Sequence, residues 1–558
     1  MAPGILAHSL PCAESRPSKK LKTSAVANLE SEDEDVAVAV PSHPLGVKPA
    51  GNAYTASENI KSRCGSFARL PDELLSHIFE SFDADALIRL GSTCRALYAF
   101  TRLDEIWRAL FFRLDRTQPF HSMRSGVHLN ENIITPRYGF FRRCHASFSK
   151  SDQSNIYEAS LQLYSYQSPS SQPEAFEWRG TWRATYLNIP QENVTSIPCT
   201  NLFSDVLYRP FQCAHTPLEP FTHNIPKANE IPRLPDLTHE EYTEKWTDKP
   251  FILTEPVKQW PVYGTWTPEY LLAQFPDVKF RAEAVDWPTS TYMSYMSDNA
   301  DESPLYLFDR AFAQKTNIAL TGPNAAYWTP PCFGPDLFSV LGPHRPDCRW
   351  LIMGPARSGS TFHKDPNATN AWNAPLTGSK YWLMFPSGPG IPPPPGVIIS
   401  DDQSEITSPL SIAEYMLTFH ALARRTPGCK EGICRAGEVL HVPTGWFHLV
   451  LNLDESLALT QNFVPTKNVP DVLGFLRDQR GEVSGFRDDV CERAYELFVE
   501  GLREEYPEVL EEGLVELERR GKKGRGRWEE LTKGGDEEAE SGGFSFGFGG
   551  DDDDADIP

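Results

Sequence analysis

The chain has 558 residues, 40% of them hydrophobic, and its 13 Trp, 32 Phe and 48 Pro are material for several packed units joined by Pro-bounded loops. A formal net charge of −22 argues against non-specific nucleic-acid binding, which needs dense Lys/Arg contacts to phosphate, although nine acidic and no basic residues lie between Asp536 and Pro558. No apolar run approaches the ~18–20 residues that cross a bilayer, and the eleven cysteines contain no CxxC, which argues against a zinc site and for reduced thiols in an intracellular protein.

Residues 1–65 are rich in Ser, Ala, Pro and charge, and are expected to be a disordered arm. Within it the basic cluster Arg16 to Lys22 fits a nuclear import signal, so the expected compartment is the nucleus, the cytoplasm or both. Order is expected to begin at "SFARLPDELLSHIFESF". There Leu74, Leu75, Ile78 and Phe79 recur at helical spacing, followed by Leu87, Leu90, Leu97 and Phe100. Pro71 suits the start of the first helix, and Asp72 and Glu73 suit its positive end. A small helical unit packed on the next domain would read this way.

Residues 114–233 carry isolated strand- or helix-like pieces such as "FEWRGTWRATYL" and are expected to brace the next domain. From Leu234 the chain alternates helix and strand. Between Tyr306 and Pro465 it becomes short strands punctuated by Gly, Pro, Asn and Asp, the texture of a β-sandwich or barrel. Past Asn468 the pattern is helical again, and the acidic Phe-Gly tail from 534 to 558 is expected to be disordered.

Two stretches inside the β-rich region carry the chemistry. In "STFHKDPNATNAWNAPLTGSKYWLMFP", His363 and Asp365 are two residues apart and would project to the same side of a strand. They are either a polar pair at a strand edge or two ligands of a metal. Lys380 stands alone among aromatic and aliphatic residues, either at the surface or buried against an anion. A third ligand would complete a 2-His-1-carboxylate set with open positions. The second stretch, "GEVLHVPTGWFHLVLNLDESLALTQNF", offers both His441 and His448, and its Pro-Thr-Gly turn breaks the strand phase that would separate them.

Together these stretches resemble a JmjC domain, the double-stranded β-helix of the cupin superfamily, in the branch of the phosphatidylserine-receptor-type lysyl hydroxylase. "SPLYLFD" and "RWLIMGPARSGS" match as well, over roughly Leu234 to Pro465. The resemblance implies Fe(II) bound by His363, Asp365 and His448, with His441 structural. It implies 2-oxoglutarate held by Lys380 and Thr460, with Asn373 and Asn462 lining the pocket and Tyr306 and Ser360 as more variable contacts. Dioxygen would then convert 2-oxoglutarate to succinate and carbon dioxide while a protein side chain is hydroxylated. Lysine C–H is the first choice; N-methyl hydroxylation leading to demethylation, on histone or other tails, is the second.

The segment "LPDELLSHIFESFDADALIRLGSTCRALYAF" resembles an F-box, which implies a surface for a Skp1-type adaptor made by Leu70, Pro71, Leu74, Ile78 and Phe79. A rival function follows: a substrate receptor of a Skp1-cullin-type ubiquitin ligase whose JmjC domain only binds targets. The helices after Asn468 resemble those that dimerise members of this branch, or else they cover the barrel. The expected organisation is α+β and multidomain. It runs from a disordered arm (1–65) through an F-box (66–113), a bracing region (114–233), a JmjC domain (234–467) and C-terminal helices (468–533) to a disordered tail (534–558).

Overall fold

Alternation of apolar and polar residues in the second half of the chain resolves into two facing sheets, seen in a computed structural model that describes residues 40–115, 177–190, 194, 196–400, 406–408 and 410–533. The basic cluster Arg16 to Lys22, the arm before residue 40 and the tail after residue 533 lie outside the described residues.

In chain order the strands are β1 (Arg233–Leu234), β2 (Phe251–Leu253), β3 (Lys279–Ala282), β4 (Val285–Pro288), β5 (Leu307–Asp309), β6 (Arg349–Gly354), β7 (Gly359–His363) and β8 (Asn370–Thr377). They continue with β9 (Ser379–Phe385), β10 (Ile398–Ile399), β11 (Ile406–Thr407), β12 (Lys430–Arg435), β13 (Val439–Val442), β14 (Phe447–Asn452) and β15 (Ser456–Phe463). Among the described residues, nine form a larger sheet in the order β1-β2-β13-β8-β15-β6-β5-β3-β4. Four form a smaller one, β12-β9-β14-β7, and β10 pairs with β11 apart from both. All pairings except β1–β2 are antiparallel. This is the expected double-stranded β-helix.

The period-2 pattern decides which side chains enter it. On β9, Tyr381, Leu383 and Phe385 face a cluster with the helix Ile412–Thr418. Trp382 and Met384 point the other way, into a cluster shared with Ala371 of β8, Leu440 and Val442 of β13 and Val450 of β14. Lys380 belongs to this inward set by parity. On β15, Leu457, Leu459 and Phe463 face the outer core, which leaves Thr460 and Asn462 inward. The interior therefore combines apolar side chains such as Trp382, Met384 and Val450 with the polar Lys380, Thr460 and Asn462.

The F-box segment folds as helices α1 (Asp72–Glu80), α2 (Ala84–Gly91), α3 (Arg95–Phe100) and α4 (Asp104–Asp115). Asp83 caps α2 by accepting from Ala86 N at 2.8 Å. These helices share one apolar cluster with the outer face of the larger sheet. At its centre Trp182 meets Phe111, Phe112 and Trp287 with ring centroids 5.4, 5.3 and 5.7 Å away. The Asp104 carboxylate accepts from both Trp182 N and Arg183 N at 3.0 Å.

Two expectations need correction. Phe79, placed on the adaptor surface, is fully buried between Phe67 and Phe82, because its position on α1 faces the core rather than solvent. Leu74 is 42% exposed and Pro71 is exposed, while Leu70 and Ile78 are half-buried. Second, the arm expected to be disordered to residue 65 is ordered from residue 40. Leu45 and Val47 are buried, and the backbone there is tied to residues 199–204 by Cys199 N to Leu45 O at 2.6 Å and Lys48 N to Leu202 O at 3.0 Å. Cys64 is buried as well, and Ile60 packs against the same core.

After β15 the helices Val469–Asp478, Ala494–Glu505 and Pro507–Lys533 pack around Leu337, Phe338 and Val464 of this same chain. No helix among the described residues is long and apolar enough to cross a membrane.

Candidate active site

His448 lies directly across the β14–β7 ladder from His363. The turn that delivers it is Pro443 to Trp446, closed by Trp446 N donating to Pro443 O, with Gly445 at φ +72 where a side chain would be strained. The pairing then slips: between His448 and Val450 on one strand, β7 spends one extra residue. Such a bulge re-aims side chains. Gly359 allows the close approach that follows, since a Cβ there would sit 2.0 Å from Val450 O.

Asp365 lies two residues past the end of β7, in extended backbone before the turn at Asn367. The two-residue spacing still works, but as a strand end rather than within a strand. The ligand atoms of His363, Asp365 and His448 lie within 4.8 Å of one another, and this is the one such grouping among the described residues. Each imidazole is oriented by its own backbone: Nδ1 of His363 donates to Thr361 O at 2.8 Å and Nδ1 of His448 to Trp446 O at 3.1 Å. That tautomer leaves both Nε2 lone pairs for a ligand. Burial, then the neighbouring His363, holds His448 well below the usual imidazole range and keeps it neutral.

His441 has a different place. It is buried in the larger sheet opposite Trp372, stacked on Phe251, with Nδ1 toward Lys249 O at 3.0 Å and Nε2 toward Asn370 Nδ2 at 3.1 Å. Its polar atoms are satisfied by packing partners.

A divalent metal fits the triad. Asp365 Oδ2 is buried with no hydrogen-bond partner, a costly state for a carboxylate unless a cation is bound there. Two neutral imidazoles and a carboxylate are the donor set of non-haem iron oxygenases.

Deeper along the same face, Lys380 is fully buried. Its Nζ donates to Tyr306 Oη at 2.8 Å and to Asn452 Oδ1 at 2.7 Å, both neutral. No carboxylate pairs with it among the described residues, and burial pushes the ammonium down to about 7. An ammonium has three donors, so one remains for an anion. Along β14, Asn452 is four residues from His448, about 13 Å at the usual strand rise. Tyr306, Trp350 and Ile352 form the apolar wall beside it.

The other candidate residues are inward but less open. Thr460 Oγ1 donates to Trp372 O at 2.8 Å, so its proton is already used and only its lone pairs face the interior. Asn462 Nδ2 donates to Thr369 Oγ1 at 2.8 Å. Asn373 Oδ1 is buried without a partner, and Ser360 is half-buried on β7 opposite Val450. Asn452 was not among the residues singled out from the sequence. Its signal was there: a lone amide ending the apolar strand "FHLVLN", in phase with His448.

Residues 67–113 match the F-box-like family, and residues 235–468 match the cupin-like domain family. The chain is 32% identical over 492 residues to the arginine-specific demethylase JMJ22 of Arabidopsis thaliana, covering 85% of this chain and 84% of that protein. It is 32% identical over 267 residues to the bifunctional arginine demethylase and lysyl-hydroxylase psr-1 of Caenorhabditis elegans, covering 45% of this chain and 64% of that one. To the 2-oxoglutarate and iron-dependent oxygenase JMJD4 of Homo sapiens it is 31% identical over 152 residues, covering 26% of this chain and 34% of that one.

Proposed function

The chain belongs to the JmjC family of Fe(II)- and 2-oxoglutarate-dependent oxygenases, and from that premise we propose that it hydroxylates a C–H bond on a protein side chain. One observation carries the reading: the metal-competent triad His363, Asp365 and His448 shares an interior with a buried lysine that has no counter-ion among the described residues. Iron and 2-oxoglutarate, when bound, supply the oxidising chemistry, in which dioxygen converts the keto acid to succinate and carbon dioxide and leaves one oxygen atom for the substrate.

The chain's own residues provide geometry. His363, Asp365 and His448 would hold the metal through two imidazoles and one carboxylate. Lys380, aimed by Tyr306 and Asn452, would receive the distal carboxylate through a charge-assisted bond, stronger than a neutral one. Asn373, Thr460, Asn462 and Ser360 line the space between. Trp350 and Ile352 pack with Tyr306 as an apolar wall.

Lysine C–H hydroxylation is the first reading of the substrate. Demethylation of N-methylarginine, in which the hydroxylated methyl leaves as formaldehyde, is the second, supported by the likeness to the arginine-specific demethylase JMJ22 over most of both chains. The F-box points to a Skp1-type adaptor, for which Pro71 and Leu74 are the exposed candidates and Leu70 and Ile78 the half-buried ones. An oxygenase that is itself carried on an adaptor fits both domains better than a receptor with an idle site, because the triad and the lysine are complete.

The test is mass spectrometry of candidate lysine and methylarginine peptides after incubation with wild-type protein, Fe(II) and 2-oxoglutarate, with His363→Ala as control. Gain of one oxygen on lysine supports the first reading and loss of a methyl group the second. Succinate formation at the same rate in His363→Ala would overturn both.

A further inference from the structure

We infer that Arg108 and Glu283 are positioning residues for the co-substrate lysine, so that the F-box helix α4 holds part of the oxygenase pocket in place. The inference rests on the reading of Lys380 and Tyr306 as the anion end of that pocket.

The connection is a short run of named contacts. Arg108, on α4, donates from Nη2 to Glu283 Oε2 at 2.9 Å and from Nη1 to Ser303 O at 2.7 Å. The other oxygen of Glu283 accepts from Tyr306 N at 3.2 Å. Tyr306 Oη in turn accepts from Lys380 Nζ at 2.8 Å. One carboxylate thus joins an F-box cation to the backbone of the residue that aims the pocket lysine.

The backbone around Tyr306 depends on such side chains. Three successive amides leave the main-chain ladder: Leu305 N donates to Tyr295 Oη at 2.7 Å, Tyr306 N to Glu283, and Leu307 N to Tyr292 Oη at 3.1 Å. Strand β5 meets β3 only through Leu307 opposite Ala282. Of the three acceptors, Glu283 alone is a carboxylate and alone bonds an F-box side chain directly.

Glu283 also occupies an unfavourable conformation. It sits in the turn between β3 and β4 at φ +48, where glycine or asparagine is usual. A strained glutamate there is explained by what its carboxylate does. Arg108 is itself fixed, with Asp301 Oδ2 at 3.7 Å and the Phe112 and Trp182 rings 5.4 and 5.6 Å from its guanidinium carbon. Asp301 accepts from Trp182 Nε1 and Tyr295 Oη, so it cannot follow Arg108 elsewhere. Removing the guanidinium leaves Glu283 without its cation, and the turn is then free to relax and carry Tyr306 with it.

The test uses the full chain loaded with Mn(II) and titrated calorimetrically with 2-oxoglutarate. Arg108→Met is expected to raise the 2-oxoglutarate Kd about three- to tenfold, and Arg108→Lys to recover most of it. Mn(II) affinity, followed by electron paramagnetic resonance, should not move, because the triad hangs on other strands. On a Tyr306→Phe background Arg108→Met should add nothing, since the hydroxyl it positions is gone. A wild-type Kd in Arg108→Met, or a full additive loss on the Tyr306→Phe background, overturns the inference. Should Arg108→Met fail to fold, Glu283→Gly carries the same expectation with a residue that suits the turn. The underlying pocket reading fails separately: Lys380→Ala would then bind 2-oxoglutarate as wild type does.

Discussion

Lys380 and Asn452 face each other across the β9–β14 ladder, and the ammonium donates to the amide oxygen at 2.7 Å. A fully buried cation whose partners among the described residues are neutral does not stabilise a fold, because its lost hydration is not returned by an opposite charge. Lys380→Met, which keeps the volume and removes the charge, should therefore melt no lower than wild type while weakening 2-oxoglutarate binding by about 1.5–3 kcal/mol. Calorimetric titration and a melting curve on the same sample check both halves. A variant that binds normally and melts earlier would make Lys380 structural. Thr460→Val should lose far less affinity, since the Thr460 proton is already given to Trp372 O.

The same lysine sets a pH dependence. Its free-state value of about 7 is lowered by burial, and a bound dicarboxylate raises it again by pairing with the charged form. Binding is then fully favourable below pH 7 and weakens as pH rises above 7, by up to about tenfold per unit until the value in the complex is reached. Titrations of the Mn(II)-loaded protein from pH 6 to about 9 would show it, and Lys380→Met should be flat over that range. Affinity that instead rises with pH would mean the carboxylate is held by another group.

How legible this was in the sequence depends on whether information was local. Strand parity is local, so His363, Lys380 and the outward Leu-rich positions could be read directly. The choice between His441 and His448 was not local: it depends on β14 pairing with β7 while β13 pairs with β8, a register that only the assembled sheets fix. Asn452 shows locally only as an amide in phase with His448; its role comes from the lysine opposite, which the assembled ladder alone reveals. Phe79 misled because its helix has apolar residues on more than one side, and spacing alone does not say which side meets the body. The order of residues 40–65 was missed because three buried side chains, Leu45, Val47 and Cys64, outweigh a composition that averages as disordered.

His441 separates packing from catalysis. It is neutral and buried, and its value is pushed down to about 3 chiefly by desolvation. The unfolded chain takes up a proton below about 6.5 that the folded chain refuses, so stability is full above that pH. It falls as pH drops toward 3, by up to about 1.4 kcal/mol per unit. His441→Asn should flatten part of that decline in melting temperature between pH 6.5 and about 4, while keeping metal binding and succinate formation. His420, lowered to about 4 by burial, retains its own share. Loss of metal binding in His441→Asn, with turnover intact in His448→Ala, would overturn the proposed ligand set.

The F-box poses the final test, because two residues expected on one adaptor surface, Leu74 and Phe79, make opposite demands. Leu74 is 42% exposed on α1 and Phe79 not at all. Leu74→Asp in the full chain should change stability little, as exposed substitutions do, yet abolish binding of a Skp1-type adaptor measured by calorimetry or co-elution. Phe79→Ala should cost about 3–5 kcal/mol by opening a cavity between Phe67 and Phe82. Because α1–α4 share one apolar cluster with the outer face of the larger sheet, that damage should reach the oxygenase as an earlier melt and slower 2-oxoglutarate turnover. If Leu74→Asp instead melts several degrees lower and also loses turnover, α1 has no free face, and the F-box serves this chain as a brace rather than as a docking surface.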